Sequence, residues 1–202
     1  MKKVKNNIGI LGGSFDPAHI GHLTISKEAA KRFKLKKIIW AITKKNPFKK
    51  KSLFSLNKRI EIAKKITSKK KFIEVYFFEK KIKSDKTIKL INYLKKKYNN
   101  TDIYFLMGAD NLINFHKWQK WKQIFKEIPI VVFKRHGYNT RALKSMSCKK
   151  YLIHKLNIDK PNSNDFNKLP CWVWVNNKEI RISSTEIRNK RKLLRSKKLI
   201  IQ

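Results

Sequence analysis

The chain has 202 residues, 41% of them hydrophobic, and a formal net charge of +38, which is enough apolar material for one α/β domain over residues 1–202. No apolar run approaches the ~18–20 residues needed to cross a bilayer and no hydrophobic signal core follows Met1, so a cytosolic protein with no membrane partner is expected. Cys148 and Cys171 form no CxxC pair and have no clustered His beside them, which excludes a disulfide framework and a structural zinc site.

The charge points two ways. Clustered Lys and Arg gain affinity from phosphate contacts and counterion release, which by itself suggests a nucleic-acid partner. Here the excess is mostly Lys and recurs throughout, at 49–51, 69–71, 95–97 and 197–198. That spread fits a solvated surface, and the abundance of Ile, Asn and Lys fits an A/T-rich coding bias. No specific nucleic-acid partner is expected, only weak, salt-sensitive sticking to RNA.

In chain order, Ile8 to Leu11 is a short apolar run that predicts a strand, and Gly12-Gly13 predicts a tight loop where backbone approaches a ligand. A helical pattern begins at His22. Lys36 to Ala41 predicts a strand buried on both faces, followed by a loop at 43–52 and a helix from the Ser55 cap to Thr67. Phe72 to Phe77 is the third strand, Thr87 to Tyr98 an amphipathic helix, and Ile103 to Met107 the fourth strand. Pro129 to Phe133 and Trp172 to Val175 complete six strands, and a helix opens at Ser184. Strands alternating with helices predict a Rossmann-like, doubly wound parallel sheet, with ligands at the carboxyl ends of its strands.

The most informative stretch is Gly12-Gly13-Ser14-Phe15-Asp16-Pro17-Ala18-His19-Ile20-Gly21-His22. A strand, a glycine loop and a helix start make a phosphate cradle, and two imidazoles at its end add movable donors. Taken alone, the residues reach no further than a nucleotide-phosphate site.

The stretch resembles the GG(S/T)FDPxHxGH signature of the nucleotidylyltransferase (HIGH) superfamily, and Ile182 to Arg188 resembles its ISSTxIR motif, about 160 residues downstream. Met107 to Asn111, Phe115 to Trp118 and Asn46 to Lys49 resemble the bacterial nicotinate-nucleotide adenylyltransferases in particular. The resemblance implies that AMP passes from ATP to nicotinate mononucleotide, giving nicotinate adenine dinucleotide (deamido-NAD) and pyrophosphate in NAD biosynthesis. It implies an ATP site of Gly12, Gly13, Ser14, Phe15, His19, His22, Asp110, Ser183, Ser184, Thr185 and Arg188. His19, His22 and Arg188 would be the catalytic members, with His19, expected in a surface loop, nearest the transferring phosphate. The implied acceptor site is Lys49, Thr87, Trp118 and Arg135, with Mg2+ arriving on ATP and no dedicated metal ligands.

Several points stay open in the sequence. Trp118, with Trp121 three residues on, reads from the residues alone as a buried helical stripe, and Asp110 as a ribose contact or a helix cap. Lys86 stands where the family carries an aromatic residue before Thr87, and residues 141–167 hold no family motif. The alternatives are pantetheine-phosphate adenylyltransferase, which lacks the FHKW stretch, and a non-enzymatic RNA-binding domain. A class I aminoacyl-tRNA synthetase would share His19-Ile20-Gly21-His22, with Lys144 to Cys148 a faint echo of its KMSKS loop, but needs a longer chain. Oligomeric state is not fixed by the sequence.

Overall fold

A computed structural model describes residues 7–45, 52–157, 166, 168–178 and 181–189. Seven strands form one sheet: β1 (Asn7–Gly13), β2 (Leu35–Ile42), β3 (Ile73–Tyr76), β4 (Asp102–Gly108), β5 (Ile130–Phe133), β6 (Lys155–Leu156) and β7 (Trp172–Val175). Their order is β3-β2-β1-β4-β5-β7-β6, and every pairing is parallel. Among the described residues the helices are α1 (Ile20–Arg32), α2 (Leu56–Thr67), α3 (Glu79–Ile82), α4 (Thr87–Lys97), α5 (Ala109–Ile113), α6 (Trp121–Glu127), α7 (Asn139–Leu143) and α8 (Met146–Lys150), with further helical residues at 184–189.

Side chains alternate across a strand, so each central strand feeds two cores. Ile10, Ile39, Phe105, Met107, Ile130 and Val132 face the layer of α4, α5 and α6. Leu11, Ile38, Trp40, Leu106, Val131 and Phe133 face the layer of α1 and α2. The sheet is wound on both sides, as the alternation of strands and helices predicts. The strand order reverses between β1 and β4, and at such a switch point the carboxyl ends of the strands open a crevice.

Two elements differ from expectation. Gly12 and Gly13 do not form the loop: β1 runs through them, pairing with Ala41 and Ile42 of β2, and Thr43 donates to the Gly13 carbonyl at 2.9 Å. Ladder hydrogen bonds from β2 outweigh the glycines' freedom, and the chain turns instead at 14–17, with Phe15 at φ 46. The second is β6, a two-residue edge strand inside 141–167, too short to leave a periodic signal. The same region contributes Tyr151, whose ring stacks on Phe125 at 3.9 Å and whose carbonyl accepts from Trp172 Nε1 at 2.8 Å. Among the described residues no helix is long and apolar enough to cross a membrane.

Candidate active site

His19 is the N-cap of α1 and is 6% exposed, so it is not in a surface loop as expected. Its Nδ1 accepts from the Gly21 amide at 3.1 Å, and its own amide donates to His22 Nδ1 at 3.2 Å. Each ring is therefore held with Nδ1 as acceptor, which in the neutral tautomer places the proton on Nε2. The rings lie 4.0 Å apart. A Cβ at Gly21 would stand 2.9 Å from the His19 ring, so only glycine lets the imidazole fold over the helix start. Phe15 supports the pair from beneath: its ring is buried, 4.7 Å from His22 and stacked on Trp40 at 4.9 Å. What Phe15 can offer a ligand is therefore backbone.

The C-terminal motif lies directly on this loop. Ser184 Oγ donates to the Pro17 carbonyl at 3.0 Å, and Arg188 donates to the Asp16 carbonyl at 2.7 Å and to Thr185 Oγ1 at 2.9 Å. Ser183 Oγ accepts from the Glu186 amide at 3.1 Å, as a helix cap does. Asp16, 4% exposed, is the hub: its carboxylate accepts from the Leu53 and Phe54 amides at 2.9 and 3.0 Å and faces Arg188 at 3.6 Å.

Arg59 of α2 went unnoticed in the sequence. It is 1% exposed and donates to the carbonyls of Ser14, Thr43 and Lys44 at 2.6, 2.7 and 2.8 Å, tying the β1 and β2 loops together. Burial pulls its pKa down, and the field of Asp16 opposes that. Glu79 closes the same strip by accepting from the Lys44 amide at 2.9 Å, and burial pushes its carboxyl up. In a chain where eight of 51 basic residues are Arg, a lone Arg inside a Lys-rich helix was the available signal, because only its fork holds three carbonyls.

On the other side of β1 is a cavity of about 450 Å³. Gly12, Gly13, Phe105, Thr87 and Trp118 are in its wall, together with Glu79, Lys86 and Asn111. Trp118 follows a 3-10 turn, with its ring edge-on to Phe115 at 5.0 Å and Phe105 at 6.1 Å. Trp121 begins α6 and packs instead on Phe125 and Tyr151. The left-handed Lys120 between them breaks the helical stripe that their spacing suggested.

Asp110 and Arg135 pair at 2.7 Å at the ends of β4 and β5, and neither is in the cavity wall. The α5 cap is Gly108 with no side-chain hydrogen bond, so Asp110 is not a cap. Lys49 lies outside the described residues. The Lys144 to Cys148 segment is a capped helix start, with Ser145 Oγ accepting from the Cys148 amide and both Ser147 and Cys148 buried. Nothing there resembles an exposed catalytic loop. Among the described residues no group of three or more His, Cys, Asp or Glu could hold a metal ion.

A family model described as cytidylyltransferase-like matches residues 10–190. The chain belongs to the cytidylyltransferase-like family. Relatives named probable nicotinate-nucleotide adenylyltransferase include those of two organisms. That of Pelagibacter ubique (strain HTCC1062) is 50% identical over 188 residues, 93% of this chain and 95% of the relative. That of Ruegeria sp. (strain TM1040) is 34% identical over 183 residues, 91% and 96% of the two chains. Among solved structures, the Plasmodium falciparum nicotinic acid mononucleotide adenylyltransferase complexed with NaAD superposes with a TM-score of 0.62 at 20% identity, covering 91% of this chain and 83% of that one. At that identity the likeness speaks for the fold, and this cytidylyltransferase-like chain shares it.

Proposed function

We propose that this cytidylyltransferase-like enzyme transfers AMP from ATP to nicotinate mononucleotide, forming nicotinate adenine dinucleotide and pyrophosphate, a step of NAD biosynthesis. The observation that carries it is one of adjacency. The glycine end of β1 walls an indole-lined cavity suited to a flat ring, and the turn that follows, with Arg188 laid on it, leads into the imidazole pair at the start of α1. A cytosolic location fits this reading, because both substrates are multiply charged and do not cross bilayers.

The acceptor's phosphate oxygen attacks the α-phosphorus of ATP, a P–O bond forms, and the bond to the bridging oxygen breaks as pyrophosphate departs. Little covalent chemistry is asked of the protein, so positioning and charge stabilisation carry the rate. His19 and His22, with their protons on Nε2, donate to the phosphate oxygens where charge develops. Gly12, Gly13 and Ser14 present backbone to the nucleotide, and the 183–185 helix start with Arg188 meets the leaving phosphates. Asp110 sits where a ribose hydroxyl can exchange for its Arg135 partner, and Arg135 so released is a cation for an acceptor phosphate. Lys49 is a second candidate for that phosphate. Trp118 stacks on the pyridine ring and Thr87 reaches its carboxylate. Magnesium enters as part of the Mg-ATP substrate, keeping several of its waters.

The test is pyrophosphate release from Mg-ATP with three acceptors. Turnover with nicotinate mononucleotide is expected. Turnover with phosphopantetheine alone would move the chain to the sister adenylyltransferase, and none with any acceptor would favour a basic RNA-binding role.

A further inference from the structure

Given nicotinate mononucleotide as acceptor, as proposed above, we infer that Lys86 strengthens this enzyme's preference for a pyridine carboxylate over a carboxamide. The cavity wall contains the start of α4, residues Ser84 to Thr87. α4 is 11 residues long and no side chain caps it. No acidic side chain lies within its first turn, and Asp85 just before it is engaged with Lys86, at a point where a ligand can reach the helix end.

A helix end and a threonine hydroxyl donate to either group, because a carboxamide also has a carbonyl oxygen. A cation adds what neutral donors lack, since it attracts the carboxylate and gains little from the carboxamide. Lys86 is the cation at that end of the cavity, while Lys45 and Lys117 in the same wall belong to the β2 loop and the 3-10 turn. The wall also holds the carboxyl groups of Glu79 and Asp85, so a ligand carboxylate would be the third acid there unless a cation offset it.

Lys86 is placed to do so. Its amide is pinned by Ser84 Oγ at 3.2 Å, and its Nζ rests 3.1 Å from Asp85 Oδ1. Both partners of that pair are about half exposed, 46% and 61%, and such pairs hold weakly, so Nζ can leave Asp85 for the ligand at small cost. Asp85 then acts as a parking place that keeps the ammonium beside the helix start.

The experiment measures kcat and KM for nicotinate and nicotinamide mononucleotides at about 0.05 and 0.5 M salt. It compares the wild type, Lys86→Met, Lys86→Arg and, as a control for the overall basic field, Lys96→Met on the exposed far end of α4. Lys86→Met is expected to lose about tenfold in kcat/KM for the nicotinate form, through KM, with the nicotinamide form changed less than about twofold. The salt dependence of the ratio should flatten in that variant alone, and Lys86→Arg should restore the ratio. Equal losses on both acceptors, or an unchanged ratio, would overturn the role of Lys86 while leaving the acceptor in place. A wild type that uses neither pyridine nucleotide would instead remove the acceptor, and Lys86's role with it.

Discussion

At the scale of single residues, His19 combines two duties that the sequence presented as one. GGSFDPAHIGH made it legible as a phosphate-site imidazole, yet nothing in the motif says that the same ring caps α1 while 6% exposed. Capping depends on the extended backbone at His19 (φ −150, ψ 173) and on the missing Cβ of Gly21, both products of the fold. The consequence is a choice of substitution. His19→Ala removes the cap as well as the imidazole and should cost about 1 kcal/mol of stability in addition to turnover. His19→Asn keeps an acceptor at the cap, so urea denaturation should show near wild-type stability while kcat falls about 10²–10³-fold. An Asn variant turning over at the wild-type rate would remove the His19 ring from the chemistry.

At the scale of elements, legibility followed length. α2 and α4, with three turns of apolar periodicity each, were predicted almost to the residue, whereas α5, α7 and α8 have five residues and β6 two, too few for any period to register. The glycine pair misled for a different reason, since local freedom was overruled by pairing with β2. What the elements do for the site is also non-local: α2 delivers Arg59 to carbonyls 15, 16 and 45 residues away. Arg59→Met would leave three carbonyls without their donor and should cost about 3–5 kcal/mol in urea denaturation. Arg59→Lys, a point donor in place of a fork, should recover only part of it. A Met variant as stable as the wild type would mean that water replaces the guanidinium and that the two loops do not depend on α2.

At the scale of the whole molecule, the doubly wound sheet could be derived from alternation alone, but the meeting of its two end motifs could not. Residues 16–17 and 184–188 meet across sequence separations of 167 and 172, and no spacing rule contains that contact. Resemblance supplied it. Likewise Trp118 and Trp121 look alike in sequence, and the left-handed turn at Lys120 sends one into the cavity wall and the other onto Phe125 and Tyr151. The fate of the α-phosphorus distinguishes group transfer from hydrolysis or simple binding. With ATP labelled at that atom, Mg2+ and nicotinate mononucleotide, the purified protein should move the label into nicotinate adenine dinucleotide, one for each pyrophosphate released. Label remaining in ATP, or emerging as free AMP without any dinucleotide, would contradict the account.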